Sequence, residues 1–211
     1  MSAPPPAAVS SSGLRYVALG DSYTIGTSVA PRERFPDQLV RVLGSASPRL
    51  ELVANLGVNG YTSDDLIRLE LPALEALRPE FVTLLIGVND VVRGVPPESY
   101  EANTVAILDA LRARLPAERI VVVAIPDYTV TPAGGDFGDP IAQHDGIVAN
   151  NAIMARLAGE RGITYVDTFD LSLEAATDRS LVADDGLHPS GVQYARWVER
   201  LRPTVEDLLR R

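Results

Sequence analysis

The chain has 211 residues, a formal net charge of −9 and 46% hydrophobic residues, a length that suits one α/β domain with a sizeable core. The acidic balance argues against broad binding to nucleic acid or anionic membranes, which need a basic face, and no apolar run approaches the ~18 residues of a membrane span. Cysteine and lysine are both absent, which removes disulfides, thiolate metal ligands, a cysteine nucleophile, Schiff-base chemistry and a phosphate-cradling lysine.

Residues 1–13 are dominated by Pro, Ala, Ser and Gly. They lack the basic start and apolar core of a signal peptide and are expected to form a disordered tail. As given, the chain reads as cytoplasmic, and a secreted form cut from a longer precursor would read the same. Residues 14–20 are an apolar strand that stops at Gly20-Asp21-Ser22, where a turn and a helix start are expected. Phe35, Leu39, Val40, Val42 and Leu43 follow at helical spacing, closed by Gly44. Residues 50–56 form a second strand, and Thr62 or Ser63 caps the next helix, with Asp64 and Asp65 in its first turn.

The continuous apolar run 81–86 is a strand buried on both faces, ending in Gly87-Val88-Asn89-Asp90. An amphipathic helix over 99–115 and a fourth strand over 120–125 come next. Residues 127–145, rich in Gly, Pro, Asp and Thr, read as a long mobile loop over a site. Helix resumes around 147–161, and a fifth strand covers 163–166. The loop Asp184-Asp185-Gly186-Leu187-His188-Pro189-Ser190 leads into a last helix over 192–209, whose Tyr194 and Trp197 are expected in the core. Strand and helix alternate along residues 14–211. That predicts one domain, a doubly wound, flavodoxin-like, five-stranded parallel sheet with helices on both faces.

In such a sheet the loops after successive strands gather at one edge. Those loops hold Ser22, Gly60, Asn89 and the 127–145 segment. A serine at a helix N-terminus sits among unpaired backbone N–H groups that favour developing negative charge, although Ser22 or Asp21 could merely cap the helix. Asn89 could merely close a turn, and Gly60 could be only a turn glycine. Two histidines are present, His144 and His188, and histidine is the usual base for a serine nucleophile. Asp185 lies three residues before His188 and Asp184 four before it, whereas His144 has only Asp145 beside it. Asp136, Asp139 and Asp145 lack the regular spacing of a calcium loop.

Gly-Asp-Ser near the start, Gly60 in a second loop, Gly87-x-Asn89-Asp90 in a third and Asp185-x-x-His188 near the end resemble the GDSL or SGNH hydrolase family, in order, over residues 14 to about 205. The resemblance implies the SGNH-hydrolase type of sheet and a serine esterase or lipase working through an acyl-enzyme, with no metal or cofactor. It implies Ser22 as nucleophile, His188 as general base and Asp185 as its partner. It also implies an oxyanion hole from the Ser22 amide, the Gly60 amide and the Asn89 side chain. Gly-x-Ser-x-Gly, the nucleophile elbow of another hydrolase fold, is absent. The expected substrates are small-molecule esters of small or medium acyl chains. An acyltransferase, or an inactive ligand-binding relative, is the alternative. Residues flanking the motifs, Tyr23, Ile25, Val58, Val91, Val92, Tyr128 and Leu187, are the candidate substrate pocket.

Overall fold

Five parallel strands form one sheet in the computed structural model, which describes residues 13–44 and 48–211. They are β1 (Gly13–Gly20), β2 (Arg49–Asn55), β3 (Phe81–Leu85), β4 (Ile120–Val123) and β5 (Thr164–Val166). Their order is β2-β1-β3-β4-β5, the flavodoxin-like arrangement. Its direction of progression reverses between β1 and β3, where open α/β sheets bind ligands beyond the strands' C-terminal ends. Both strands stop just short of chemistry-bearing residues: β1 before Ser22 and β3 before Asn89. Of the tail expected over 1–13, only Gly13 falls within the described residues, and it is the first residue of β1.

The strands alternate their side chains between two apolar layers, as the two-residue period of a pleated strand requires. Tyr16, Ala18, Val121 and Val123 face one layer; Val17, Leu19, Ile120 and Val122 face the other. Helices α2 (Phe35–Leu43) and α9 (Gly191–Arg210) close the first layer with Phe35, Leu39, Tyr194, Trp197 and Leu201. The second is closed by α6 (Pro97–Arg112) and α7 (Pro140–Glu160) through Ile107, Leu108, Leu111, Met154 and Leu157. Each such side chain contributes ~1.5–3 kcal/mol on burial, so both faces of the sheet are anchored and its C-terminal edge is left to the loops.

The remaining α-helices are short: α1 (Ser22–Ile25), α3 (Ser63–Asp65), α4 (Leu74–Leu77), α5 (Val88–Val92) and α8 (Phe169–Leu173); α1 and α5 start at that edge, whereas α4 ends at the opposite one, where the Leu77 carbonyl accepts from Arg15. Helix α7 departs from the expected boundary. It begins at Pro140 rather than near residue 147, because Asp139 accepts the Ala142 amide as N-cap and Pro140 has the dihedral a first helical turn needs. His144 and Asp145 are therefore helical, and the loop after β4 is shorter than its composition suggests. Helix α6 likewise starts earlier and ends earlier than the expected 99–115, with prolines at its N-terminus.

Candidate active site

The turn after β1 fixes Ser22. Asp21, not Ser22, is the N-cap of α1: its Oδ1 accepts the Tyr23 amide at 3.0 Å. Among the described residues the Ser22 hydroxyl has no hydrogen-bond partner, so capping does not consume it. Gly20 has φ of +147°, and a Cβ there would stand 2.0 Å from the Leu85 carbonyl oxygen. Only glycine lets β1 turn this close to β3. The Gly20 amide donates to Glu70 Oε2 at 2.9 Å. Burial pushes the Asp21 carboxyl up to about 8 and the Glu70 carboxyl up to about 9, the latter also repelled by Asp21. Burial thus biases both acids beneath Ser22 towards their neutral forms.

Two further loops are tied together above it. Gly60 sits in a turn with φ of +79°, and its carbonyl accepts the Arg93 guanidinium at 2.6 Å. Asn89, on the first turn of α5, donates one Nδ2 hydrogen to the Tyr61 carbonyl at 2.9 Å. That contact leaves the second Nδ2 hydrogen free and orients the amide. Asp90 is buried and accepts from the Ser63 amide at 2.9 Å, which joins α5 to the start of α3. Thr62 is the cap of α3 and forms a capping box with Asp65. Gly57, the other glycine of this stretch, has a different task. A Cβ there would come within 2.6 Å of the Ile25 nitrogen and 2.7 Å of the Asp21 carbonyl. It lets the exit from β2 pass under α1.

The loop before α9 carries the acid and the imidazole. Asp185 Oδ2 meets His188 Nδ1 at 2.7 Å, and Asp185 Oδ1 accepts the amides of Leu187 and His188, each at 2.9 Å. Gly186, at φ of +74°, makes this fold-back. Burial pushes the Asp185 carboxyl up, but hydrogen bonds from Ser28, the two amides and the ring outweigh it and hold the acid down at about 2. Asp184 is exposed. His144 pairs with Asp127, at 2.6 Å from Nδ1, rather than with Asp145.

A cavity of about 210 Å³ lies where these loops meet. Ser22, Gly60, Asn89 and His188 all line it, as do Tyr23, Val92, Tyr128 and Leu187. Three expected pocket residues do not. Ile25 is two residues past Tyr23 on α1 and so points to the opposite side of the helix. Val91 packs against Gly146 on α7, one step round from Val88 and Val92, which do face the cavity. Val58 opens the turn closed by the Tyr61 amide and is 40% exposed. Asn59, Val88 and Phe137 also line the cavity and were not among the expected pocket residues. The 127–145 segment does wall the cavity, through Tyr128 and Phe137. It is pinned by the Ala133 amide on the Gly186 carbonyl and by the Tyr128 hydroxyl on Gln143.

A doubly wound parallel sheet, with a serine, a histidine–aspartate pair and an amide-lined apolar cavity at its C-terminal edge, defines an esterase or lipase acting on small-molecule esters. The sequence matches the GDSL-like Lipase/Acylhydrolase family over residues 18–196, and the chain belongs to that family. No curated protein matches the sequence. Among solved structures, TesA aligns with a TM-score of 0.71 at 20% identity, over 92% of this chain and 99% of that one. LAE5, an alpha/beta hydrolase enzyme from the metagenome of Lake Arreo, Spain, aligns with a TM-score of 0.72 at 22% identity, over 93% and 96%. Axe2, an acetylxylan esterase from Geobacillus stearothermophilus, aligns with a TM-score of 0.71 at 21% identity, over 92% and 94%. Structures of Axe2 include catalytic mutants at a serine, an aspartate and a histidine, the last two three residues apart. Among the described residues, no helix is long and apolar enough to cross a membrane.

Proposed function

We propose that the protein is a serine hydrolase that cleaves carboxylic esters of small or medium acyl chains through an acyl-enzyme. One observation carries this reading: Ser22, with an uncommitted hydroxyl, and His188, with Nδ1 held by Asp185, open on the same cavity. His188 Nε2 takes the Ser22 proton as the oxygen attacks the ester carbonyl, and Asp185 stabilises the imidazolium that forms. The tetrahedral oxyanion is received by the amides of Ser22 and Gly60 and by the free Nδ2 hydrogen of Asn89, and each such donor supplies a factor of ~10²–10³ in rate. His188 returns the proton to the leaving alcohol, and water then repeats the sequence to release the acid. The Asp–x–x–His spacing of the Axe2 catalytic mutants supports assigning Asp185 and His188 these roles.

The apolar wall of Tyr23, Val88, Val92, Tyr128, Phe137 and Leu187 suits an acyl chain, and its volume of about 210 Å³ favours the shorter ones. A panel of p-nitrophenyl esters from acetate to palmitate, with a fluorophosphonate label, tests the whole reading. A burst of phenol release, labelling at Ser22 and a preference for acetate to octanoate are expected. Labelling at another serine while Ser22→Ala stays active ends it. Product analysis with added alcohol separates hydrolysis from acyl transfer.

A further inference from the structure

Two hydrogen bonds leave the segment just after α1 and reach two of the other loops of the site. Thr27 Oγ1 donates to Asn59 Oδ1, next to Gly60. Ser28 Oγ donates to Asp185 Oδ2 at 2.6 Å, across 157 residues of sequence. With that bond the Asp185 carboxylate accepts four donors: the Leu187 and His188 amides on Oδ1, and the His188 ring and Ser28 on Oδ2. A carboxylate has about four lone-pair sites, so Ser28 fills the last one and leaves no freedom for the group to swing.

The backbone of Ser28 is the second observation. Its φ is +65°, a region that costs an L-residue ~1–2 kcal/mol and costs glycine nothing. Among the described residues only Arg78 shares this feature, and Arg78 is the C-cap of α4, an ordinary place for it. The C-cap of α1 is Gly26, so capping does not explain Ser28. Glycine would fit the turn without strain. What glycine lacks is the hydroxyl, and the hydroxyl is on Asp185.

We propose that Ser28 is a positioning residue of the esterase: from the nucleophile's own loop it clamps the Asp185 carboxylate so that Oδ2 faces His188 Nδ1. The proposal rests on the reading of Ser22, His188 and Asp185 given above. Ser28 also draws charge from the oxygen that faces the ring. Without it, that oxygen favours the imidazolium more strongly. The acid limb of the kcat/KM profile, which reports the free enzyme's base, then moves to higher pH. The other titratable groups around the pair are Tyr23, whose ring centroid lies 5.6 Å from that of His188, Tyr194 and the exposed Asp184. Burial holds both tyrosines protonated well above neutral pH.

Ser28→Gly is the decisive variant, because it removes the hydroxyl while relieving the backbone. It is expected to melt no lower than wild type, to lose about five- to tenfold in kcat on p-nitrophenyl acetate with KM nearly unchanged, and to shift the acid limb upward. Ser28→Ala should lose as much rate. In an Asp185→Asn background the Ser28→Gly change should cost nothing further, since the group it positions is already impaired. Wild-type kcat and an unmoved acid limb in Ser28→Gly, or an undiminished loss in the Asp185→Asn background, overturns the proposal. If Asp185→Asn is itself as active as wild type, the reading of the triad falls and this proposal with it. If Asp185→Asn is impaired and Ser28→Gly is not, only the role of Ser28 falls.

Discussion

The molecule has two histidine–aspartate pairs of almost the same length, His188–Asp185 at 2.7 Å and His144–Asp127 at 2.6 Å. They differ in everything around the bond. Asp127 is fully buried, and its Oδ1 is taken by the amide and hydroxyl of Thr129, while the His144 side chain is 40% exposed on α7 beside Phe169 and lines no part of the cavity. The His188 side chain is 13% exposed and faces the cavity with Ser22 and Asn89. A carboxylate behind the ring therefore does not make a histidine a base. The two rings differ in where they open: that of His188 faces the cavity that Ser22 lines, and that of His144 does not. The His144 pair pins the start of α7 to the end of β4 and acts on the fold.

The sharpest way to break this contrast is to remove each ring. His188→Ala should lower kcat/KM on a short p-nitrophenyl ester by about 10³-fold or more, whereas His144→Ala should stay within about threefold, as expected of a residue outside the site. A larger loss for His144→Ala would reverse the assignment. Asn89→Ala comes next. Only the His188 pair has an amide donor across the cavity, so this change should lower kcat by about 10²-fold with little effect on KM, the mark of an interaction made in the transition state. An unchanged kcat would leave Asn89 holding only the Tyr61 carbonyl.

The acids sharpen it further. Asp185→Asn should cost at least about tenfold in kcat/KM, less than His188→Ala, because the Leu187 and His188 amides still shape the loop. Asp184→Asn, on an exposed carboxylate, should stay within about threefold. Asp127→Asn should leave kcat near wild type and lower stability by ~1–3 kcal/mol, the cost of unmatched buried donors, read from denaturant melts. Loss of rate without loss of stability in Asp127→Asn would mean that the second pair serves catalysis.

The smallest effects are in pH, and they have opposite signs. Asp185 is held at about 2, below its ordinary 3.8. Its contribution to stability is present above about 4 and is lost as pH falls towards about 2. Glu70 is raised to about 9 from 4.5. The folded state keeps that proton longer than the unfolded chain, so its contribution is full below about 4.5 and is lost as pH rises towards about 9. Glu70→Gln keeps an acceptor for the Gly20 amide and has no proton to lose. It should melt several degrees above wild type at pH 9 and no higher at pH 5. Equal melting curves at pH 9 would remove Glu70 from the acids under Ser22 that burial biases towards neutrality.

Much of the site was legible because its chemistry is concentrated at strand ends. Gly20-Asp21-Ser22, Gly60 and Asn89 cluster because a parallel sheet brings its strands' C-terminal ends to one edge, and His188 joins them from the loop before α9. Residues that act through hydrogen bonds across the molecule left weaker traces. Glu70 stands between Leu69 and Leu71 with no motif around it, and Asp90 belongs to the Gly87-x-Asn89-Asp90 block without Ser63 being marked as its partner. Phe137 sat in a loop whose composition says nothing about where its side chain goes. Ile25, Val58 and Val91 were misplaced because nearness in sequence to a motif does not fix which side of a one-turn helix or tight turn faces the cavity.

The sequence by itself determined the sheet, because apolar runs of strand length alternating with amphipathic helices bury their surface in a parallel, doubly wound arrangement. It also determined which residue types reach the sheet's edge and the acid register, since Gly186 lets a carboxylate three residues back fold onto its own histidine. Only the tertiary structure decided that Asp21 rather than Ser22 caps α1, that His144 belongs with Asp127, and that Ser28 reaches Asp185. The last two outcomes depend on contacts between segments 17 and 157 residues apart, and the first on which of two neighbouring side chains accepts the Tyr23 amide. Local pattern carries no information about that competition, because each residue's own neighbours leave several partners equally open.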